Sequence, residues 1–343
     1  MSAHPSPCEF DRIRDTEFAH KAPGFERVLH VFNTSWHGIR AASGYAPGHK
    51  LAISDEDGLD GEALRHIQGL VHHHGITRVV FQGYSPTAAD LAGLLRRDFG
   101  DALSLSVITH VTSAQFENAF EIEMQGLIAD QLATGVLARA GSVKPGFAAV
   151  VSGYWPHTIL NYAPRVDAPA MGFGSDPGHV FVPVENTWRK NLYTNVLAAL
   201  AARATTHIHV VNHPTGLDRI ADLGRLVVQP YRKRGPLLAF MAAMEVQMNV
   251  TLAECQPMTQ LEALAVGTPC LTGPLRLAEF ADDPLCALTE VEAVEMPGPI
   301  AAALDRVVSE RRADPDALAQ MIDAHLALRT KLATERYADF LDL

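Results

Sequence analysis

Cysteine is scarce in this sequence. Cys8, Cys255, Cys270 and Cys286 are the only four among 343 residues, and no two form a Cys-x-x-Cys pair. That argues against a disulfide framework and fits a reducing compartment. Long apolar runs are missing too. No stretch approaches the ~20 apolar residues of a membrane span, and the opening "MSAHPSPCEFDRIRD" lacks the apolar core of a signal peptide. A cytoplasmic protein without a transmembrane segment is expected. Cations are outnumbered: 28 Lys and Arg face 39 Asp and Glu, a formal net charge of −11. General affinity for nucleic acid is therefore not expected. The runs "RKRG" (232–235) and "LLRR" (94–97) are local exceptions, and the first reads as a solvated turn. Internal repeats and low-complexity tracts are absent.

What is present is an ordinary globular balance, 48% hydrophobic and 20% charged residues, in a chain long enough for two domains. Residues 1–25 read as a loose N-terminal extension. From "RVLHVFN" (27–33) onward, short apolar strands alternate with amphipathic helices, the pattern of a doubly wound α/β domain. "TSWHGIRAASGYAPGHK" (34–50) reads as a loop, the stretch 120–141 as one helix, "FAAVVSG" (147–153) as a strand and "AVEM" (293–296) as a last short strand. "MGFGSDPGH" (171–179), with three Gly and a Pro, reads as a linker. The alternation then restarts. The expected organisation is two Rossmann-like α/β domains, 26–172 and 178–312, facing a cleft, with a C-terminal helix over 313–343 that packs back on the first domain. Three histidines at 72–74 end a helix and face different ways. His207 and His209 share a strand face without an evident third ligand, so no zinc site is expected.

One stretch, "NVTLAECQPMTQLEALAVGTPCLTG" (249–273), carries most of the chemistry. "NVTLA" is short, apolar and partly β-branched, as a buried parallel strand is. Pro257 suits the first turn of a helix; "MTQLEALAV" continues it, and Gly267 with Pro269 ends it. The unit strand–loop–helix–strand implies a right-handed crossover. Ligands of such sheets bind beyond the carboxyl ends of the strands, where Glu254 falls. The backbone amides opening the next helix, at Met258 and Thr259, favour an anion, phosphate above all. Taken singly, Glu254 is a solvated loop residue and Glu262 an exposed helix residue.

The second half of the chain, about 178–312, resembles the retaining nucleotide-sugar glycosyltransferases of the GT-B fold, the large family-four type. Glu254 and Glu262, with seven residues between them, match that family's paired glutamates, and "LEALAVGTPCLTG" matches its Glu-Ala-x-Ala-x-Gly-x-Pro run into a strand. "VENTWRKNLYTNVLAAL" resembles its strand, basic pair and helix, and "LVVQPYRKRGPLLAFMAAMEVQMNVTLAE" its base-contacting loop and the helix before the motif strand. The first half matches in plan, with His110 at a strand end where the family places a histidine near the reacting centre. Three positions differ from the family. Cys255, Gln256 and Pro257 replace an aromatic and a glycine. Glu185 stands where an Arg precedes the phosphate lysine by five. The early loop has one glycine, Gly38, rather than two.

The resemblance implies a hexosyltransferase-type enzyme. It would move a sugar from a nucleotide-diphosphate sugar to an acceptor hydroxyl, with retention and without metal or other cofactor. By it, Lys190, Arg189 and the helix start at Met258 and Thr259 hold the diphosphate. Glu262 holds the ribose hydroxyls, Glu254 the donor sugar, Gly38 contributes to donor binding, Tyr231 stacks on the base, and His110 meets the sugar or acceptor. The acceptor is left open among glycan, lipid and protein. Two other readings share the fold: a different GT-B enzyme, such as a sugar-nucleotide epimerase or inverting transferase, and a non-catalytic GT-B domain that binds a partner.

Overall fold

The computed structural model describes residues 8–9, 21–172 and 177–343. Most of the expected extension (1–7 and 10–20) and residues 173–176 of the expected linker lie outside them. The architecture is the expected one: α/β throughout, in two compact units. The first is Met1–Pro164 with Thr330–Leu343, the second Arg165–Arg329.

The first unit is built on a six-stranded sheet in the order β1-β3-β2-β4-β5-β6. Its strands are β1 (Cys8–Glu9), β2 (Val28–Asn33), β3 (His49–Ile53), β4 (Arg78–Gln82), β5 (Ser104–Thr109) and β6 (Arg139–Ser142). All run parallel except β1, which pairs antiparallel with β3. The helices are α1 (His37–Tyr45), α2 (Gly61–His73), α3 (Pro86–Phe99) and α4 (Ala119–Ala133). Strand β2, "VLHVFN", is buried along its whole length, as a central strand covered on both faces must be. Local chemistry starts the helices. The Asp60 carboxylate accepts from the amides of Glu62 and Ala63. Ser85 accepts from Ala88, with Pro86 in the first turn of α3.

Four expectations fail. The stretch 34–50 is not all loop: α1 begins at His37 and buries Ala42, Ser43 and Tyr45, with Gly38 inside its first turn. The fourth helix stops at Ala133, because Gly135 takes a positive φ of 73°. The strand follows at β6 rather than at 147–153, where only a 3-10 turn, Phe147–Ala149, forms. "ARAGS" has no apolar run to announce a strand. It is strand because it pairs parallel with β5, from Ser106 opposite Arg139 to Thr109 opposite Ser142; the Phe340 ring lies over Gly141, where an added Cβ would meet that ring at 3.0 Å. Residues 293–296 form no strand; nearby, Thr272 and Glu290 make a single bridge.

The second unit carries a five-stranded parallel sheet in the order β11-β10-β7-β8-β9. Its strands are β7 (His179–Val182), β8 (His207–Val210), β9 (Leu226–Val228), β10 (Val246–Asn249) and β11 (Cys270–Thr272). The helices are α5 (Leu192–Ala201), α6 (Arg234–Ala242), α7 (Met258–Ala265), α8 (Pro284–Thr289), α9 (Pro297–Ala313) and α10 (Pro315–Leu341). Val180, Val182, Ile208, Val246 and Met248 of the sheet pack with Val196, Ile300, Leu304 and Val307 in one apolar core. Chain order runs outward from β7 in both directions, through β8 and β9 on one side and β10 and β11 on the other. The strand order therefore reverses between β7 and β10, the place where doubly wound sheets bind ligands.

Helix α10 supplies Leu318, Ile322 and Leu326 as buried residues in its first part and Ala333, Tyr337 and Phe340 in its last. The last part belongs to the first unit, where the Arg78 side chain donates to the Leu341 carbonyl at 2.8 Å and Arg139 pairs with Asp342 at 2.6 Å. No helix among the described residues is long and apolar enough to cross a membrane.

Candidate nucleotide-sugar site

The two loops that leave β7 and β10 flank the point of strand reversal, and each delivers one charged side chain. After β7 the chain makes a 3-10 turn, Trp188–Lys190, then Asn191 takes a left-handed φ of 58° to enter α5. After β10 it passes Thr251 and Glu254 to Pro257, which opens α7. Lys190 Nζ donates to Glu254 Oε2 at 2.5 Å, with the two side chains 19% and 13% exposed. The other carboxylate oxygen, Oε1, accepts from the Cys255 amide at 3.2 Å.

Two asparagines join these loops. Asn191 Nδ2 donates to the carbonyls of Val250 (3.2 Å) and Val294 (2.6 Å). Asn195, fully buried, donates to the Val250 carbonyl at 2.8 Å and accepts from the Val250 amide at 3.2 Å. The Leu252 amide donates to the Arg189 carbonyl at 2.9 Å. The relative placement of Lys190 and Glu254 is thus fixed mostly by backbone-directed bonds. Asn195→Ala strips partners from a buried peptide group, a cost of about 1–3 kcal/mol. The urea midpoint is expected to fall with an unchanged m value; an unchanged midpoint would contradict the tie.

Helix α7 starts beside Glu254, and the first turn of a helix carries N–H groups without intrahelical partners. Met258 and Thr259 are its first two residues. The Gln247 side chain from β10 donates to the Thr259 carbonyl at 2.5 Å, pinning that turn to the sheet. One turn on, Glu262 is only 6% exposed, so it is not the surface residue that its place on a short helix suggests. A carboxylate is buried at tolerable cost only with a partner. Here Arg234, at the start of α6, lies with Nε 3.5 Å from Glu262 Oε1. Arg232 stacks over the Phe240 ring at 4.6 Å and donates to Gln229 at 2.7 Å. Of the "RKR" run only Lys233 is fully solvated. A charge run alone does not reveal this: Glu262 comes from another helix, and Phe240 meets Arg232 only because α6 forms.

The remaining expected residues fall as follows. Arg189 is half-buried, Glu185 is exposed, and Tyr231 is 80% exposed ahead of α6. Gly38 and His110 belong to the first unit. His110 follows β5, and its Nε2 lies 2.8 Å from Gln82 Oε1. Burial lowers its pKa to about 4, so the ring is neutral at pH 7. Gln82 Nε2 in turn lies 2.9 Å from His30 Nδ1 and donates to the Tyr337 hydroxyl at 3.2 Å, while His30 Nε2 lies 2.9 Å from the Pro47 carbonyl.

His207 and His209 gain a third histidine from the neighbouring strand. His179 stacks on His207 with ring centroids 4.4 Å apart, and its Nδ1 lies 2.8 Å from His209 Nε2. Burial, with the charges of its neighbours, lowers the His209 pKa to about 4. Among the described residues, Asp283, Cys286 and His325 come close enough together to suggest a metal. Asp283 is already engaged, capping α8 through the Leu285 and Cys286 amides and meeting His325 Nδ1 at 3.0 Å.

A pH dependence follows from His110 and His209. Both stay neutral in the folded protein down to about pH 4, whereas in the unfolded chain they take up protons below the ordinary value near 6.5. Between those limits the unfolded state binds more protons, so stability falls as pH falls. Melting temperatures are expected to drop steadily from pH 6.5 to 5, above the range where most carboxylates titrate; a flat profile there would contradict it.

No family model matches this chain, and no curated protein matches it in sequence. Its structure does match solved ones. A sucrose-phosphate synthase from Thermosynechococcus elongatus superposes with a TM-score of 0.58 at 14% identity, over 92% of this chain and 100% of that one. The HepE protein of Anabaena, solved in complex with UDP, gives 0.57 at 13% identity over 92% and 99%. A UDP-forming α,α-trehalose-phosphate synthase from Burkholderia xenovorans gives 0.56 at 12% identity over 92% and 98%. The chain therefore has the GT-B type of fold expected from its second half, along nearly its full length.

Proposed function

We propose that this protein is a glycosyltransferase. It moves a hexosyl group from a nucleotide-diphosphate sugar, with UDP the first candidate nucleotide, to an acceptor hydroxyl, with retention of configuration and without a metal. The observation that carries this reading is the Lys190–Glu254 pair, 2.5 Å apart where the strand order reverses and beside the start of α7. The UDP named for two of the similar structures supports the choice of nucleotide.

The chemistry follows from the charges. As the bond to the anomeric carbon breaks, the sugar becomes more positive and the diphosphate more negative. The Lys190 ammonium, Arg189 and the N–H groups opening α7 stabilise the diphosphate. Preorganised groups of this kind are worth about 3 kcal/mol each. Lys190 exchanges its Glu254 partner for phosphate when donor binds, and the released carboxylate takes the sugar hydroxyls and favours the developing cation. Glu262 accepts from the ribose hydroxyls. His110 is assigned to the sugar or the acceptor hydroxyl. The acceptor attacks on the face the phosphate leaves, and that phosphate takes its proton. Two cations and the helix start take the place of a metal ion at the diphosphate. The reaction is placed in the cytoplasm, in glycan biosynthesis.

The test is a screen of sugar nucleotides, scoring hydrolysis and transfer with and without EDTA, followed by the anomeric configuration of the product. Release of one nucleoside diphosphate, insensitivity to EDTA and a retained anomer support the reading. No turnover of any donor, or an inverted anomer, contradicts it.

A further inference from the structure

We propose that Gln82 is a positioning residue for His110. It holds that imidazole as the Nε2–H tautomer and leaves Nδ1 as the lone-pair nitrogen offered to a ligand hydroxyl. The inference deepens the transferase reading and rests on it for the identity of the ligand.

The proton positions follow from groups that have no choice. The Pro47 carbonyl only accepts, so His30 Nε2, 2.9 Å away, carries hydrogen. His30 is buried, with a pKa held well below its ordinary value, first by burial and then by the Lys50 charge, so the ring is neutral. Its Nδ1 is then an acceptor, and the side-chain atom of Gln82 that meets it at 2.9 Å is the amide nitrogen. The second hydrogen of that nitrogen goes to Tyr337 Oη at 3.2 Å. Turning the amide over would set its oxygen against the lone pair of His30 Nδ1. Its oxygen therefore faces His110 and accepts from Nε2–H at 2.8 Å. A carbonyl on β2's flank thus sets a tautomer two strands away.

The two histidines that Gln82 joins differ in a way that matters. A histidine that serves only the core satisfies both ring nitrogens, and His30 does so, with Pro47 and Gln82. His110 satisfies one. Its Nδ1 has no hydrogen-bond partner among the described residues, although the ring is fixed in place, tautomer and all, and is only half-buried. Fixed orientation with one open acceptor is what a group that binds a hydroxyl requires.

The test uses the full chain labelled with ¹⁵N-histidine. A long-range proton–nitrogen correlation spectrum is recorded, and the His110 ring is identified by its loss in His110→Asn. In the parent protein at pH 7, Nε2 is expected as a pyrrole-type and Nδ1 as a pyridine-type nitrogen. Gln82→Met removes the acceptor at similar length. His110 should then average between tautomers, and kcat should fall roughly ten- to a hundredfold with an unchanged donor KM. Gln82→Glu keeps an acceptor for Nε2–H. It should retain the tautomer and, by placing a negative charge beside the ring, move the acid limb of the kcat profile to higher pH. A Gln82→Met protein with an unaltered His110 spectrum, or with parental kcat, overturns the inference. So does a Gln82→Glu protein that folds, turns over and leaves the pH profile unmoved. If the parent turns over no sugar nucleotide at all, it is the transferase reading that fails, and the nitrogen spectra still decide the tautomer.

Discussion

Lys190→Ala is expected to lower kcat for sugar transfer by about 10²–10³-fold while leaving the fold intact. Lys190 follows β7 at the strand reversal and donates to Glu254 of the β10 loop. Removing one preorganised group aimed at charge that develops in the transition state costs roughly that factor. The effect falls on kcat more than on KM, because the diphosphate is more negative when it leaves than when it binds. Lys190→Arg keeps the charge and should recover part of the rate. Single-turnover rates for the three proteins check this. Parental turnover in Lys190→Ala would move the phosphate site elsewhere.

Glu254→Gln is the second large effect, expected at about two orders of magnitude in turnover, with nucleoside diphosphate binding nearly unchanged. In the structure its carboxylate accepts from Lys190 and from its own loop amide, Cys255. On the proposed reading that carboxylate offers its charge to the donor sugar, and free nucleotide carries no sugar. The glutamine retains an oxygen that accepts from the Cys255 amide, so the loop is expected to keep its shape. Initial rates with full donor, compared with titration by the nucleoside diphosphate, separate the two readouts. A variant that loses nucleotide affinity as much as rate would place Glu254 on the nucleotide instead.

Much of this was legible from local pattern. Glu254 and Glu262 stand in one strand–loop–helix–strand unit, and Pro257 and Gly267 mark its helix; the strand lies earlier than "NVTLA", at Val246–Asn249, with residues 250–253 already in the loop. What the residues do to one another was not legible. The Lys190–Glu254 contact spans 64 positions and the Gln82–Tyr337 bond 255. Nothing in the intervening sequence signals either. Arg234 was read as solvated because a cation in a basic run has no local sign of its partner, which is Glu262 on another helix. The β6 strand was missed for a related reason. It lacks the apolar alternation of a strand, and the Phe340 ring of α10 lies over Gly141, where a side chain would not fit. Asn191 and Asn195 sat inside a stretch already matched to the family, yet their bonds to Val250 depend on the crossover that brings β7 and β10 side by side.

The central claim is that the second unit binds a nucleoside diphosphate with Glu262 on its ribose. Isothermal titration of the parent and Glu262→Gln with UDP, GDP and ADP tests it most directly. A buried carboxylate accepting from hydroxyls contributes about 1.5–3 kcal/mol. One nucleotide should therefore bind the parent, and the variant should bind it roughly ten- to a hundredfold more weakly. No binding of any of the three, or equal affinity in parent and variant, would contradict the account.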